Sequence, residues 1–267
     1  MMKQSVIVLG ARGSVPVSGS AYSRYGGATT CILVRLSAHP IVIDAGTGLL
    51  HLPDDVLMLP RLSLLLTHPH VDHMLGLPIS RCAMRRGAQI DIYAATRSGL
   101  DARAQLARLM SPPLWPVEPG QLPADIRFHE LPQTLELDGV HIETLEGSHP
   151  GGVTLLRLEA GGKSVVIMSD CTIDRVPPDR LTAFAHNCDL LLCDGQYSEA
   201  EWSKRAGFGH STWSSAAKLA RDCSAARLRI IHHDPGRTDA ELDQASEAIR
   251  RIGPDYDFAR EEEEIVL

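Results

Sequence analysis

The chain has 267 residues, of which 44% are hydrophobic, so it can bury a sizeable core as one large domain or two small ones. Its formal net charge of -7 argues against general electrostatic binding of nucleic acid, which needs a positive surface. No apolar run is long enough to span a bilayer, and the N-terminal stretch lacks a secretory h-region, so we expect no membrane association.

The cysteines give a prediction about the redox compartment. They contain no Cys-x-x-Cys pair, and a chain of this length does not need disulfides for stability. We therefore expect reduced, mostly buried thiols and a cytoplasmic protein. The cysteines concerned are Cys31, Cys82, Cys171, Cys188, Cys193 and Cys223.

The first predicted strand runs from Ser5 to Leu9 and leads into a Gly-rich loop that contains Arg12. Such a loop could hold a phosphate, because backbone N–H groups bind anions. It lacks the Gly-Lys-Ser/Thr ending of a P-loop, so a simple turn is the favoured alternative. A second strand runs from Cys31 through Arg35, and a third, from Ile41 to Ile43, ends in Asp44 and a glycine turn.

The densest group of metal-capable side chains follows the next apolar run, Leu62 to Thr67, which the pattern predicts as a buried strand. Imidazole and carboxylate groups suit zinc and similar transition metals. From their spacing, His68 and His70 can reach one ion, while Asp72 and His73, past the bend, can reach a second. The alternative is a solvated His-rich loop. The density of ligands directly after a buried strand disfavours it, because such loops commonly carry chemistry on a rigid scaffold.

The motif His-x-His-x-Asp-His after a strand resembles the signature of the metallo-β-lactamase fold, a superfamily of mostly hydrolytic enzymes. The opening segments resemble one branch, the ribonuclease Z-like and cyclic-nucleotide-phosphodiesterase-like hydrolases. That branch tends to show Gly-x-Arg-Gly-Ser-x-Pro, Arg-Tyr-Gly-Gly-Asn-Thr and Asp-Ala-Gly-Thr-Gly. This chain has Ala28 where the branch usually has Asn, so any hydrogen bond from that Asn is lost. The resemblance implies that Asp44 supports the metal loop from behind, as partners that orient ligands do. A turn or cap role for Asp44 is compatible with this.

The middle of the chain predicts a helix from Met74 to Arg86 and another from about Ser98 to Met110. The segment Ser111 to Val117 follows, and it combines three prolines with the apolar residues Leu114 and Trp115. It has two equal interpretations, a wall of a substrate cleft or a loop packed on the core. The chain lacks a long Gly/Lys-rich insertion of the kind that ribonuclease Z uses to hold transfer RNA, which argues against a transfer RNA substrate.

Further metal-capable residues follow the strands of the second half. The resemblance implies that His149 is the third histidine of the first metal, with an ordinary loop histidine as the alternative. It also implies that Asp170 bridges two metals, whereas Cys171 beside it is a rival thiolate ligand. Aligning strand ends with the family makes His232 a ligand, with His233 as the alternative. The strands are predicted at 140–145, 153–158, 164–168, 190–194 and 228–231.

Gly207 to Trp213 opens a helix that runs to about Cys223, and its Gly-His-Ser-Thr segment resembles the loop that gives the phosphodiesterase branch its proton donor. The resemblance implies that His210 is this donor, with Asp194 in place of the Glu that ribonuclease Z uses. A histidine oriented and kept basic by a carboxylate is a sound general acid near neutral pH. The alternative is a histidine at a helix N-terminus beside a capping Ser211.

The chain closes with a helix from about Asp239 to Ile252 and an acidic segment, Glu261 to Glu264, predicted as a solvated face. We predict one α/β domain over residues 1–267, of the metallo-β-lactamase αββα sandwich type. In this fold two mixed β-sheets lie face to face with helices outside.

The resemblance implies two divalent metal ions, preferably Zn²⁺, with Mn²⁺ or Fe as alternatives. The implied ligands are His68, His70 and His149 for the first ion, Asp72, His73 and His232 for the second, and Asp170 as the bridge. Two ions about 3.5–4 Å apart lower the pKa of a shared water and clamp the charge on a phosphoryl oxygen. The predicted catalytic group comprises His210, Asp194 and Asp72.

The predicted activity is phosphodiester hydrolysis, with cyclic nucleotides or small nucleotide diesters as substrates. A metal-bridging hydroxide would attack phosphorus, and His210 would protonate the leaving oxygen. One alternative is hydrolysis of a thioester, a lactone or a β-lactam on the same site, and another is a non-enzymatic metal-binding sensor protein. The expected partner is a small-molecule phosphodiester, without strong nucleic-acid binding, and a homodimer stays open.

Overall fold

The computed structural model describes residues 3–267, so Met1 and Met2, the first residues of the predicted domain, lie outside the described residues. The strands are β1 (Ser5–Gly10), β2 (Cys31–Arg35), β3 (Ile41–Ile43), β4 (Arg61–Leu66), β5 (Gln89–Ala94), β6 (Asp125–Glu130), β7 (Thr134–Leu137), β8 (Val140–Gly147), β9 (Val153–Ala160), β10 (Lys163–Met168), β11 (Leu190–Asp194), β12 (Leu228–Ile231), β13 (Tyr256–Phe258) and β14 (Glu263–Val266). The helices are α1 (Asp54–Leu57), α2 (Ala102–Leu109), α3 (Pro178–Phe184), α4 (Glu199–Arg205), α5 (Trp213–Asp222) and α6 (Asp239–Arg250).

The strands form two mixed sheets of seven strands each. The first has the order β14-β1-β2-β3-β4-β5-β6, and the second has the order β13-β12-β11-β10-β9-β8-β7. Strands β3 to β6 are parallel neighbours, and so are β10 to β13. The carboxyl ends of parallel strands meet at one edge of a sheet, where open α/β sheets commonly bind ligands.

Three apolar layers cover both faces of both sheets. Leu65 on β4 belongs to the layer between the sheets, whereas its neighbours Leu64 and Leu66 pack in the outer layer with α2 residues such as Leu106. This alternation follows from the two-residue period of a strand. The outer layer of the second sheet contains residues of α3, α5 and α6. The predicted fold class, an αββα sandwich, is confirmed, while the single-domain organisation over 1–267 stays a prediction.

The predicted helix from Met74 to Arg86 is wrong. The structure has a short 3-10 helix there, Leu77–Ile79, followed by turns. Gly76 and Pro78 explain the difference, because proline cannot donate the helical hydrogen bond and glycine has a high conformational entropy. The Ser80 hydroxyl instead donates to the carbonyl of Leu77 at 2.8 Å, which ends the 3-10 helix.

The helix predicted from Ser98 to Met110 begins later, at Ala102. Ser98 and Gly99 have φ of 51° and 75°, in the left-handed region, which a right-handed helix excludes. Asp101 then caps the helix, because its Oδ1 accepts the N–H of Ala104 at 2.8 Å. The later helices end within two residues of the predicted Cys223 and Ile252.

The acidic segment Glu261 to Glu264 is partly structural, so its interpretation as a solvated face is wrong for two residues. The Glu261 carboxylate accepts the N–H groups of Gly27 and Ala28 at 2.8 and 2.9 Å. Glu263 begins β14 and pairs with Arg229 at 2.8 Å. The C-terminal segment thereby holds the loop in which Ala28 replaces the branch's usual Asn.

The Gly-rich loop after β1 is a turn and not an anion cradle. Arg12 is only 1% exposed and donates hydrogen bonds to the carbonyl oxygens of Gly26, Asp234 and Arg237. The guanidinium thus joins the N-terminal loop to the segment after β12.

The cysteines agree with the expectation of buried thiols. All six cysteines are buried and free of disulfides. Among residues 3–267, none of the helices has the length and apolar character needed to cross a bilayer.

Candidate metal centre

The functional candidates lie where strands end. His68 to His73 follow β4, Asp170 follows β10, and His232 follows β12 directly. Asp44 follows β3, and His149 follows β8 by two residues. The sandwich therefore brings together side chains that are far apart in the sequence, because the strand ends of both sheets open on the same side of the shared core.

The first group of ligand-type atoms comes from His68, His70, His149 and Asp170, with one atom of each within 4.8 Å of the others. His149 Nε2 lies 3.0 Å from His70 Nδ1, and His68 Nε2 lies 3.6 Å from Asp170 Oδ2. This is the set that the sequence assigned to the first ion. Its imidazole nitrogens surround one small space.

The second group is formed by Asp72, His73, His232 and again Asp170, also within 4.8 Å. His232 Nε2 lies 3.0 Å from Asp170 Oδ2 and 3.2 Å from Asp72 Oδ2. His73 Nε2 lies 3.2 Å from Asp170 Oδ1. Asp170 therefore belongs to both groups: its Oδ2 faces His68 of the first and His232 of the second, while its Oδ1 faces His73 of the second.

The hydrogen bonds leave the Nε2 atoms of two histidines in these groups without a partner among residues 3–267. His73 Nδ1 lies 2.8 Å from Asp44 Oδ2, and His149 Nδ1 lies 2.9 Å from the carbonyl oxygen of Gly209, so these Nδ1 atoms donate. The Nε2 atoms of His68 and His73 are buried without a hydrogen-bond partner. Buried polar atoms normally have one, and a metal ion would satisfy both. The residues present fit a dinuclear metal site.

The charges of the two groups also favour cations. Burial lowers the pKa of His68, His70 and His149, which favours the neutral imidazole that binds metal. Burial likewise disfavours a charged His232, but the carboxylates of Asp170 and Asp72 outweigh it and raise the pKa of His232 to about 10. The second group therefore attracts a positive charge, and a divalent ion can take the place of the proton.

The backbone at the strand ends adopts left-handed conformations. Asp44, Asp170 and His232 have φ of 59°, 48° and 61°. Residues other than glycine seldom adopt this region, and such strain clusters at functional sites. Each strand thus turns sharply at the residue that must face the site.

Several residues that support the site were missed from the sequence. The Thr67 hydroxyl bridges Asp44 and His68, at 2.9 Å from Asp44 Oδ2 and 3.1 Å from His68 Nδ1. The Ser14 N–H donates to Asp72 Oδ2 at 2.8 Å, and Ser169 Oγ donates to Asp170 Oδ1 at 2.7 Å. The available signal was a hydroxyl residue directly before a ligand, at Thr67 and Ser169.

Two glycines allow the ligands to approach. A Cβ on Gly13 would lie 2.3 Å from His232 Nδ1, and a Cβ on Gly209 would lie 2.4 Å from His149 Nδ1. Gly209 also has φ of 95°, which disfavours any side chain there. These glycines are packed against ligand rings, so replacing either should displace a histidine.

Asp44 is expected to tune metal affinity, because it holds His73 and the backbone N–H of Thr67. Asp44→Asn keeps the size but removes the charge, so metal affinity should fall about 10–100-fold. Competition with a chromogenic chelator measures this. Asp55→Asn, at a more exposed carboxylate paired with Arg35, is the control and should leave affinity unchanged. Equal affinity in both variants would contradict a role of Asp44 in holding the ligands.

A third group, Asp194, His210 and His232, adjoins the second. His210 Nδ1 lies 2.9 Å from Asp194 Oδ2, and the His210 ring stacks on that of His232 with centroids 4.7 Å apart. Asp194 also accepts the backbone N–H groups of Cys171 and Gln196 at 3.0 Å each. The carboxylate is thus fixed in place, and it orients His210 with Nδ1 turned away from the site.

The residues that the sequence offered as alternatives, Cys171, His233 and Ser211, have other surroundings in the structure. Cys171 is buried outside the groups, and burial raises the pKa of its thiol to about 12, which disfavours a thiolate. His233 directs Nε2 to the carbonyl oxygen of Ala259 at 2.9 Å, away from the groups. The cap of α5 is Thr212 and not Ser211, because the Thr212 side chain accepts the N–H of Ser215. The individual roles as ligands and acid stay predictions.

Comparison with known proteins agrees with this fold. The model of the family described as "Beta-lactamase superfamily domain" matches residues 39–233, more than half of the chain. A ribonuclease Z of Bradyrhizobium sp. (strain ORS 278) is 28% identical over 288 residues, covering 85% of this chain and 91% of the relative.

Two solved structures show the same fold. The metallo-β-lactamase fold protein YhfI of Bacillus subtilis has a TM-score of 0.74 at 19% identity, with 99% of each chain covered. Zn²⁺-bound PqqB of Methylobacterium extorquens has a TM-score of 0.70 at 20% identity, covering 98% of this chain and all of PqqB. The chain belongs to the beta-lactamase superfamily and is a ribonuclease Z-like protein with the metallo-β-lactamase fold.

Proposed function

We propose that this chain is a dinuclear metal-dependent phosphodiesterase. The broader class, a metal-dependent hydrolase with the metallo-β-lactamase fold, follows from its family. The single observation that carries the finer proposal is the pair of His210 and Asp194 beside the double metal group. A phosphodiester has a poor leaving group, so a fixed proton donor next to the ions suits that reaction better than hydrolysis of a strained or activated acyl group.

The metals would be held by the two groups of side chains, with Asp170 common to both. When bound, the two divalent ions supply Lewis acidity, which activates water and neutralises the charge on phosphoryl oxygens. The supporting residues hold the imidazoles in the tautomer that binds metal. Asp44 does this for His73, and the Gly209 carbonyl does so for His149.

His210 would deliver a proton from Nε2 to the leaving oxygen. Its Nδ1–H bond to Asp194 at 2.9 Å fixes the orientation of the ring. Asp194 can serve this role because two backbone N–H groups hold it rigidly. Asp72 would act as a metal ligand beside His232, since its Oδ2 lies 3.2 Å from His232 Nε2.

The proposed substrates are small phosphodiesters, with cyclic nucleotides and short nucleotide diesters among them. RNA is a second candidate, because the relative from Bradyrhizobium is a ribonuclease Z and is covered over 91% of its length. The net charge of -7 and the lack of a long Gly/Lys-rich insertion favour the small substrate. A cytoplasmic location and a homodimer are further proposals. The preference for a small substrate over RNA does not depend on them.

A parallel substrate screen tests the proposal. Protein reconstituted with Zn²⁺ or Mn²⁺ is assayed with bis(p-nitrophenyl) phosphate, cyclic nucleotides, an RNA with a 3′ extension, nitrocefin, a lactone and an acylthioester. We expect turnover of the phosphodiesters and background rates on the acyl compounds. Preferred cleavage of an acyl compound would favour the alternative hydrolase. A metal-loaded protein inactive on the whole panel would favour a binding or sensor protein.

Metal content gives an independent prediction. Seven ligand side chains with one shared carboxylate should bind two ions per chain, with zinc preferred by the His-rich set. Elemental analysis of protein purified without chelator measures the stoichiometry. Dialysis against EDTA serves as the control and should remove both ions. A content near zero after reconstitution with zinc, manganese and iron would contradict the dinuclear interpretation.

A further inference from the structure

An apolar cavity of about 370 Å³ opens beside the candidate metal centre, and it has no role in the proposed mechanism. It is continuous with the centre, because His70 lines it and is itself exposed. Gly151 and Gly152, just after His149, line the opposite part. The apolar wall is formed by Val71, Met74, Leu100, Leu109, Leu114 and Pro150.

Two residues of this wall expose large apolar side chains. Leu114 is 74% exposed and Val71 is 54% exposed. Trp115 and Val117, by contrast, pack against the outer core of the first sheet. The segment Ser111 to Val117 is therefore anchored on the core, as one of its two interpretations predicts, while it also presents Leu114 to the cavity, and its role as a wall of a substrate cleft stays a prediction. Exposed apolar surface next to a reactive centre indicates a binding role.

Hydrogen bonds hold the polar part of the cavity wall in place. Gln105 Nε2 donates to the carbonyl oxygens of Ala95 and Leu100 at 2.8 Å each. Arg97 donates to Thr154 Oγ1 at 2.7 Å and to Glu146 Oε1 at 2.5 Å. The wall is thus preformed, so that a ligand would not have to order it on binding.

The charge at the cavity favours an anionic ligand. Glu146 compensates Arg97, but the guanidinium of Arg108, which also lines the cavity and is exposed, forms no hydrogen bond or ion pair with side chains or carbonyl groups of residues 3–267. Arg108 lies in the last turn of α2, where a cation also suits the helix dipole. An apolar cavity with one uncompensated cation fits a ligand that is part apolar and part anionic.

We propose that this cavity binds the organic ester group of the substrate and selects phosphodiesters that carry an apolar ring over those that carry a small alkyl group. The inference rests on the proposed function and specifies its substrate class. The volume lies near the lower end of the range for small-molecule sites, about 300–1,000 Å³. The cavity therefore suits one flat ring system, such as an aryl group or a nucleobase, and not a folded RNA.

Two diesters with the same leaving group test the selection. Phenyl p-nitrophenyl phosphate and methyl p-nitrophenyl phosphate both release p-nitrophenolate and differ only in the ester group that is retained. With each rate normalised to the uncatalysed rate, kcat/KM should be about 10–100-fold higher for the phenyl compound, because the cavity buries the ring. Calorimetry with phenyl phosphate and methyl phosphate gives a readout that does not depend on turnover, and the phenyl compound should bind more tightly.

Variants of exposed residues connect the preference to this cavity. Leu114→Asp should lower the phenyl-to-methyl ratio at least several-fold, because a carboxylate in the wall disfavours both the ring and the anion. Met58→Asp is the matched control, since Met58 is 65% exposed and does not line the cavity. Its ratio should equal that of the original protein. A ratio that Leu114→Asp leaves unchanged would overturn the assignment of the cavity.

The failures of the two proposals can be told apart. Equal kcat/KM and equal affinity for the phenyl and methyl compounds would overturn the inference while the proposed function stands. No hydrolysis of either diester by protein with two bound ions would overturn the proposed function, and the inference with it.

Discussion

Asp170→Ala is expected to remove both metal ions and nearly all activity. Asp170 is buried, with one carboxylate oxygen 3.2 Å from His73 Nε2 and the other 3.0 Å from His232 Nε2 and 3.6 Å from His68 Nε2. Its removal takes away the carboxylate that the two ligand groups share, so that the first group keeps only His68, His70 and His149. Elemental analysis and a diester assay on the purified variant measure the two effects.

Two control substitutions distinguish the loss of the bridging carboxylate from a general destabilisation of the protein. Asp179→Ala removes an exposed carboxylate in the first turn of α3 and should keep both ions. Cys171→Ala, next to the bridge, should also keep both, because the thiol lies outside the ligand groups and favours its protonated form. If Cys171→Ala instead strips a metal while Asp170→Ala retains two, the thiolate alternative replaces the carboxylate bridge.

The position of the candidate site could be predicted because its ligand-type side chains stand at the ends of apolar runs. Leu64, Leu65 and Leu66 are buried on both faces of the first sheet, so the run is visible as a strand without knowledge of the fold. A histidine directly after such a run must lie at the sheet edge. For Asp170 and His232 the resemblance to a family was needed, because it assigned these strand ends to the same site as His68.

Other features depend on contacts that no local pattern encodes. The sequence favours a simple turn around Arg12, but it does not show the partners of Arg12, which are carbonyl oxygens more than two hundred residues away as well as nearby. The segment Met74 to Arg86 gives a second example. Its apolar pattern is that of a helix, but one glycine and one proline prevent the helix from forming. The left-handed φ of Asp44 and Asp170 is likewise imposed by tertiary packing.

His210→Ala is expected to retain two metals and to lose turnover, which makes it the sharpest test of the mechanism. In the proposed scheme the other histidines complete the ligand sets, so elemental analysis should still find two ions. General acid catalysis typically contributes about 10²–10⁴-fold, and kcat should fall by that factor. His39→Ala, at an exposed histidine remote from the ligand groups, is the control and should match the original protein.

The structure also offers an alternative role for His210, that of a metal ligand, because its ring nitrogen lies within 4.8 Å of ligand-type atoms of Asp194 and His232. A histidine that served as a ligand in this third group would take an ion with it when replaced. Loss of one metal in His210→Ala would therefore contradict the proton donor and support a ligand role.

The leaving group separates proton donation from simple binding. An alkoxide, such as a ribose 3′-oxygen, is a strong base and needs a proton as its bond to phosphorus breaks, whereas p-nitrophenolate needs one much less. His210→Ala should therefore lose far more activity on a nucleotide diester than on a p-nitrophenyl ester. Asp194→Asn should show the same pattern more mildly, because it leaves the His210 imidazole in place and disturbs the 2.9 Å hydrogen bond that orients it. Equal losses on both substrates, with both metals bound, would mean that His210 stabilises charge or holds the substrate and that the leaving oxygen takes its proton from elsewhere.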